Sequence, residues 1–141
     1  MSLTRVKKIL FLCTHNAARS QIAEGLVNAR YDDRYKAYSA GNEPTSVHPC
    51  AVEVMAEIGV DISSKRAKSL DEFNDASFDY VVTMCADAAE NCPIFPGGVE
   101  YLDHAFPDPV TAITDERDRC KPFRQARDEI EQWIASTFDH P

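Results

Sequence analysis

The sequence predicts a single α/β domain over residues 1–141: a four-stranded parallel sheet flanked by helices. Three observations carry that expectation. An apolar run, Ile9-Leu10-Phe11-Leu12, leads through a tight loop into an amphipathic stretch beginning near Ala18. A second β-type run, Tyr80-Val81-Val82-Thr83-Met84, follows two helical patterns, so strands and helices alternate. The 141 residues, 44% of them apolar, suffice for one core and are too few for two domains. Such alternation implies a parallel sheet with its working loops at the C-terminal strand ends.

The elements follow in order. Val6–Leu12 is the first strand. The first helix runs from Arg19 to about Tyr31, with Ile22, Ala23, Leu26 and Val27 on its apolar face. Lys36–Ser39 reads as a short second strand closed by Ala40-Gly41. The second helix starts near Pro49, a favoured first-turn residue, passes Val52, Met55 and Ile58, and stops at Gly59. A helical turn fits Ser69–Asn74. After the Tyr80–Met84 strand a short helix covers Ala86–Asn91 and is ended by Pro93. Val99–Leu102 is the fourth strand, and His104–Thr111 is a Pro-rich loop. The last helix spans about Cys120 to Thr137, with Phe123, Ala126, Ile130, Trp133 and Ile134 on one face.

A net charge of −8 argues against nucleic acid or an anionic membrane as partner, since both select basic faces. Arg5, Lys7 and Lys8 before Ile9–Leu12 only loosely imitate a signal peptide: the apolar run is too short and no cleavage site follows. No stretch reaches transmembrane length, so a cytoplasmic location is expected. The five cysteines, Cys13, Cys50, Cys85, Cys92 and Cys120, show no C-x2-C metal spacing. An odd count at irregular intervals does not suit a secreted disulfide framework.

Three stretches carry chemistry. The first is Cys13-Thr14-His15-Asn16-Ala17-Ala18-Arg19-Ser20, at the junction of first strand and first helix. A helix start holds unpaired N–H donors and partial positive charge, which bind tetrahedral oxyanions and favour thiolate at Cys13. Residues Thr14 to Arg19 are the candidate oxyanion cradle. Arg19 adds a planar fork, Ser20 a hydroxyl donor, and Asn16 tolerance of a left-handed backbone. The bare Cys-x5-Arg spacing is weak; its place between strand and helix gives it force. The second stretch is Phe106-Pro107-Asp108-Pro109. A rigid Asp108 over an oxyanion site suits protonation of a leaving oxygen, although Asp-Pro alone also reads as a plain turn.

The third stretch, Met84 to Pro93, holds Cys85 and Cys92 directly after a strand expected beside the first. On an intact helix the two would stand ~10.5 Å apart along the axis, beyond the ~6 Å Cα separation of a disulfide. Joining them requires the short helix to unwind, and a brief helix is marginal by itself. The spacing leaves open a redox pair or two small buried apolar residues.

These residues resemble a family. Cys13-Thr14-x-Asn16-x-x-Arg19-Ser20-Gln21 with Ala23-Glu24-Gly25 is similar to the thioredoxin-coupled arsenate reductases built on the low-molecular-weight tyrosine phosphatase fold. So are Tyr38-Ser39-Ala40-Gly41, Asp61-Ile62-Ser63, Val81-Val82-Thr83-Met84-Cys85-x-Asp87, Asn91-Cys92-Pro93, Asp108-Pro109 and Arg127-Asp128-Glu129-Ile130. The resemblance implies reduction of arsenate to arsenite, with phosphate and sulfate as look-alike anions. Cys13 attacks arsenate, Asp108 protonates the departing oxygen, Cys85 attacks Cys13, Cys92 attacks Cys85, and thioredoxin reduces the final disulfide. The family usually has Gly at the position of His15 and often Cys at that of Ala18. Some relatives hold potassium with residues matching Asn16, Glu24, Ser39 and an Asp. Lys68 stands at that last position, where its ammonium would replace the ion, so no metal and no cofactor are expected.

Two rivals remain. A low-molecular-weight tyrosine phosphatase would share Cys13, Arg19 and Asp108. Those enzymes typically carry Pro after Arg-Ser and an aromatic after Asp-Pro, where this chain has Gln21 and Val110. A non-enzymatic thiol adaptor switched by Cys85 and Cys92 would leave Arg19 and Asp108 without a role.

Overall fold

The computed structural model describes residues 6–85 and 94–138. Strands β1 (Lys7–Leu12), β2 (Tyr35–Ala40), β3 (Phe78–Thr83) and β4 (Gly98–Asp103) alternate with helices α1 (Arg19–Arg30), α2 (Pro49–Ala56) and α3 (Lys121–Phe138). The four strands form one parallel sheet in the order β2-β1-β3-β4. Leu12 pairs with Ala40 on one side and Thr83 on the other, and Thr83 pairs with Asp103. The C-terminal ends of all four strands therefore align at one edge of the sheet. The loops that carry the candidate chemistry leave from that edge, as the alternating pattern predicted.

The unbroken apolar run in β1 reflects burial on both faces of a central strand. Ile9 and Phe11 enter a core with Ile22, Leu26 and Val27 of α1, Val54 and Met55 of α2, and Ile130 and Ile134 of α3. Leu10 and Leu12 face a smaller cluster with Phe78, Val81 and Phe95. The outer strand β4 leaves Val99 and Tyr101 exposed. Strand β2 gains one residue at each end of the expected Lys36–Ser39, and β3 starts two residues before the expected Tyr80 and ends one before Met84. Ladder hydrogen bonds extend a strand past the residues whose side chains announce it.

Helix α2 begins as expected, with Pro49 in its first turn and His48 as cap. The Cys50 N–H donates to His48 Nδ1 at 3.1 Å. The helix ends at Ala56 rather than Gly59, because Glu57, Ile58 and Gly59 turn out of it and Gly59 takes a φ of 79°. Ser69 caps the expected helical turn, Leu70–Phe73. The short helix expected over Ala86–Asn91 lies outside the described residues.

Two fastenings join α2 to α3. At the C-terminal end of α2, Glu57 accepts from Arg124 (2.9 and 2.6 Å) and from Arg127 (2.8 Å), and Arg127 also donates to the Val54 carbonyl at 2.8 Å. The hydrogen bond from Arg124, reinforced by Arg127 against some desolvation, holds the Glu57 carboxyl at about 2. At the other end, Cys50 and Cys120 form a disulfide with Cα atoms 5.0 Å apart. The cysteine spacings pointed to no such pair. In the chain-entropy account, a crosslink closing a loop this long contributes about 4 kcal/mol.

Candidate active site

Cys13 leaves the end of β1 with its N–H still in the sheet, donating to the Ala40 carbonyl at 3.3 Å. Its Sγ lies 2.9 Å from Ser20 Oγ at the start of α1. Asn16 Nδ2 donates to that Ser20 oxygen at 2.7 Å, which leaves the Ser20 proton available to the sulfur. Asn16 adopts the left-handed conformation its side chain makes tolerable, with φ 52°. Its Oδ1 accepts from Gln21 Nε2 (2.8 Å) and from the Lys68 N–H (2.9 Å), so the turn is locked from inside. Helix α1 begins at Arg19 with no side-chain cap on Ala18. Unfilled donors at a helix start are what an anion satisfies.

The segment after β2 braces this loop. Glu43 N–H donates to the Thr14 carbonyl (3.0 Å), Thr45 N–H to that of His15 (3.2 Å), and His48 N–H to that of Ala17 (2.9 Å). Exposed His15 adds a bond of 2.9 Å between Nδ1 and the Glu43 carbonyl, so the residue that replaces the usual glycine ties the two loops together. Gly41 permits the approach. A Cβ there would stand 2.4 Å from the Thr14 oxygen and 2.7 Å from the Cys13 oxygen. Sequence reasoning saw Gly41 as the end of a strand and part of a family-like motif but not as a close approach, since that need arises from a neighbour 27 residues away.

Arg19 is buried, 3% exposed, and Nη1 donates to the carbonyls of Met84 (3.2 Å) and Phe106 (3.0 Å), at the ends of the β3 and β4 crossovers. These bonds hold the guanidinium over the loop, with Nη2 3.9 Å from Asp108 Oδ2. Asp108 serves both readings weighed for it: Oδ1 accepts the Val110 N–H at 3.0 Å in a tight turn, and Oδ2 faces Arg19. Cys13, His15, Ala17, Ala18, Arg19 and Asp108 open onto a cleft of about 320 Å³, walled further by Thr45, Ser46, His48, Pro49, Val110 and Thr111. His48, absent from the residues singled out in the sequence, stacks on Phe123 at 4.5 Å. Burial, with Arg119 adding to it and Asp108 opposing, lowers its pKa.

Cys85 Sγ lies 3.9 Å from the hydroxyl of Thr14, the residue next to Cys13. Cys85 is disulfide-bonded, whereas Cys13 is a free buried thiol. Cys92 lies outside the described residues. Beneath the loop, Glu24 accepts from Ser39 Oγ at 2.9 Å and faces Lys68 Nζ at 3.6 Å and Lys65 Nζ at 3.7 Å. Lys68 Nζ also donates to Ser39 Oγ at 3.4 Å. Two ammonium groups on one carboxylate leave no charge for a further cation to neutralise, so these residues do not fit a bound potassium ion. Among the described residues, no cluster of three or more His, Cys, Asp or Glu side chains is arranged to hold a metal.

The low molecular weight phosphotyrosine protein phosphatase family matches residues 8–139. The chain belongs to that family. Within it, the chain is 42% identical over 124 residues to the arsenate reductase of Bacillus subtilis strain 168, covering 88% of this chain and 89% of the relative. A solved arsenate reductase in the reduced state superposes with a TM-score of 0.77 at 26% identity, covering 95% of this chain and 98% of that one. The thioredoxin-dependent arsenate reductase of Corynebacterium glutamicum superposes with a TM-score of 0.66 at 32% identity. That match covers 96% of this chain and 63% of the longer one. Among the described residues no helix is long and apolar enough to cross a membrane.

Proposed function

We propose that this protein reduces arsenate to arsenite through a relay of three cysteines and is returned to its reduced state by thioredoxin. The observation that carries the reading is the meeting of Cys85 with Thr14, across 71 residues of sequence, beside the nucleophile of an oxyanion cleft. Cys13 thiolate attacks arsenic, and Asp108 protonates the departing oxygen as water. Arg19, Ser20 and the donors of residues 14–19 balance charge on the remaining oxygens. Cys85 thiolate then attacks Cys13 Sγ. The S–As bond breaks, its electron pair stays on arsenic, and arsenite leaves. Cys92 attacks Cys85, freeing Cys13 and leaving a Cys85–Cys92 disulfide for the dithiol of thioredoxin. A disulfide-bonded Cys85 beside a free Cys13 is the distribution expected at the end of that cycle. The curated relative's name supports the substrate, and the thioredoxin-dependent neighbour supports the reductant.

The test supplies arsenate, thioredoxin, its reductase and NADPH. Wild type should turn over repeatedly. Cys92→Ala should stop after at most one turnover with Cys13 joined to Cys85, and unimpaired turnover would remove the relay. The cleft supports a second, slower reading. About 320 Å³ exceeds what five heavy atoms of a bare oxyanion fill, so a small phosphate monoester fits, with Asp108 protonating its leaving oxygen.

A further inference from the structure

The Cys50–Cys120 disulfide is not needed by the relay, and its position gives it a different use. Cys50 is buried as the second residue of α2, and half-buried Cys120 directly precedes α3. Two residues before Cys50, the His48 N–H holds the Ala17 carbonyl of the oxyanion loop, and His48 and Pro49 form one wall of the cleft. The covalent link thus reaches the loop through a short path: Cys120 to Cys50, two residues back to His48, and on to Ala17.

We propose that Cys50 and Cys120 form a second, non-catalytic redox site, a reversible dithiol–disulfide couple that sets how tightly the cleft binds its oxyanion. The site takes a dithiol reductant. A thiolate of that reductant attacks the sulfur of Cys120, the less buried residue of the pair, forming a mixed disulfide, and Cys50 leaves as thiolate. The reductant's second thiol then attacks the mixed disulfide. Two protein thiols and one oxidised dithiol result. Cys50 suits the leaving role, because a sulfur in the first turn of a helix is stabilised as thiolate, and a better leaving thiolate makes a disulfide easier to reduce. Reduction need not unfold the protein. The Glu57 clamp to Arg124 and Arg127 stays closed at the far end of α2, and His48 stays stacked on Phe123. What loosens is the cleft end alone.

The test uses the full chain carrying Cys85→Ser and Cys92→Ser, so that only Cys13 and this couple remain. Graded dithiothreitol, followed by alkylation and peptide mapping, reports which cysteines open while circular dichroism monitors the fold. Inorganic phosphate is titrated calorimetrically into the oxidised and the reduced protein. We expect Cys50 and Cys120 to become alkylated with the fold intact, and phosphate affinity to fall about five- to tenfold. Adding Cys50→Ser and Cys120→Ser should give the weaker affinity with or without reductant. Equal affinity in both redox states, or opening only upon unfolding, overturns the proposal. Phosphate binding in neither state overturns it together with the oxyanion cleft. A failure of the thioredoxin relay would leave phosphate binding and this couple unaffected, so the two readings fail separately.

Discussion

The oxyanion loop and the α2–α3 seam lie side by side yet are held by opposite means. The loop spans eight residues from Cys13 to Ser20, and hydrogen bonds from its own side chains and from Glu43, Thr45 and His48 fix it. The seam joins residues 70 apart by a disulfide and by charged groups that bridge two helices. The loop is thus a matter of shape, where tenths of an ångström count, and the seam a matter of fastening, where strength counts. A change in the loop should alter binding before it alters the fold. Loss of the seam's charged clamp, at the end of α2 far from the cleft, should do the reverse, whereas its disulfide, at the cleft end, acts on binding.

Gly41→Ala is the hardest test of that contrast. The added methyl would overlap the Thr14 and Cys13 carbonyls, which are backbone and cannot swing aside. Overpacking of this kind costs about 1–3 kcal/mol, so phosphate affinity should drop roughly ten- to a hundredfold by calorimetry. Wild-type affinity in this variant would show the loop to be more compliant than its bonding implies.

Glu57→Gln should give the opposite pattern. Phosphate binding should persist, while the urea midpoint falls at neutral pH. Glu57 is held at about 2, below its ordinary value of 4.5. The stability it adds is therefore full above about pH 4.5 and is lost as pH falls from there through about 2. The gap in midpoint between wild type and variant should close over that window, and a gap constant with pH would remove the charged clamp.

His48 stands where the two regions join, and its effect should be the smallest. Its Nδ1 can accept the Cys50 N–H only when unprotonated, and burial, reinforced by Arg119, lowers its pKa below 6.5. As pH falls through 6.5 the unfolded chain takes up the proton first, so stability declines toward acid. His48→Asn keeps a capping oxygen and loses the titration. The stability slope below about pH 6.5 should flatten in that variant, and an unchanged slope would place the titrating group elsewhere.

Much of the loop was legible because its information is local. A continuous apolar run announced a central strand, the position of Cys13 at its end pointed to the proposed oxyanion site, and Asn16 was a residue able to take the left-handed turn. Asp108 was legible as a residue but not as a partner of Arg19, since that pairing depends on two crossovers ending at one edge. The seam was almost silent. Cys50 and Cys120 looked like ordinary helix residues, and Arg127 stood out only within a family-like motif with no partner in view, because each draws its meaning from a contact with a different helix. The stop of α2 at Ala56 was missed for a smaller reason: a Gly59 with positive φ ends the turn, while hydrogen bonding has already left the helical pattern before it.

The placement of β1 between two neighbours has a dynamic consequence. Amides hydrogen-bonded on both flanks exchange with solvent only when the whole sheet comes apart, whereas loops open by local breathing. Cys13 directly follows that strand with its N–H still bonded to the Ala40 carbonyl, so its backbone should share the slow exchange expected of the sheet. Any group that comes to meet it must supply the travel itself.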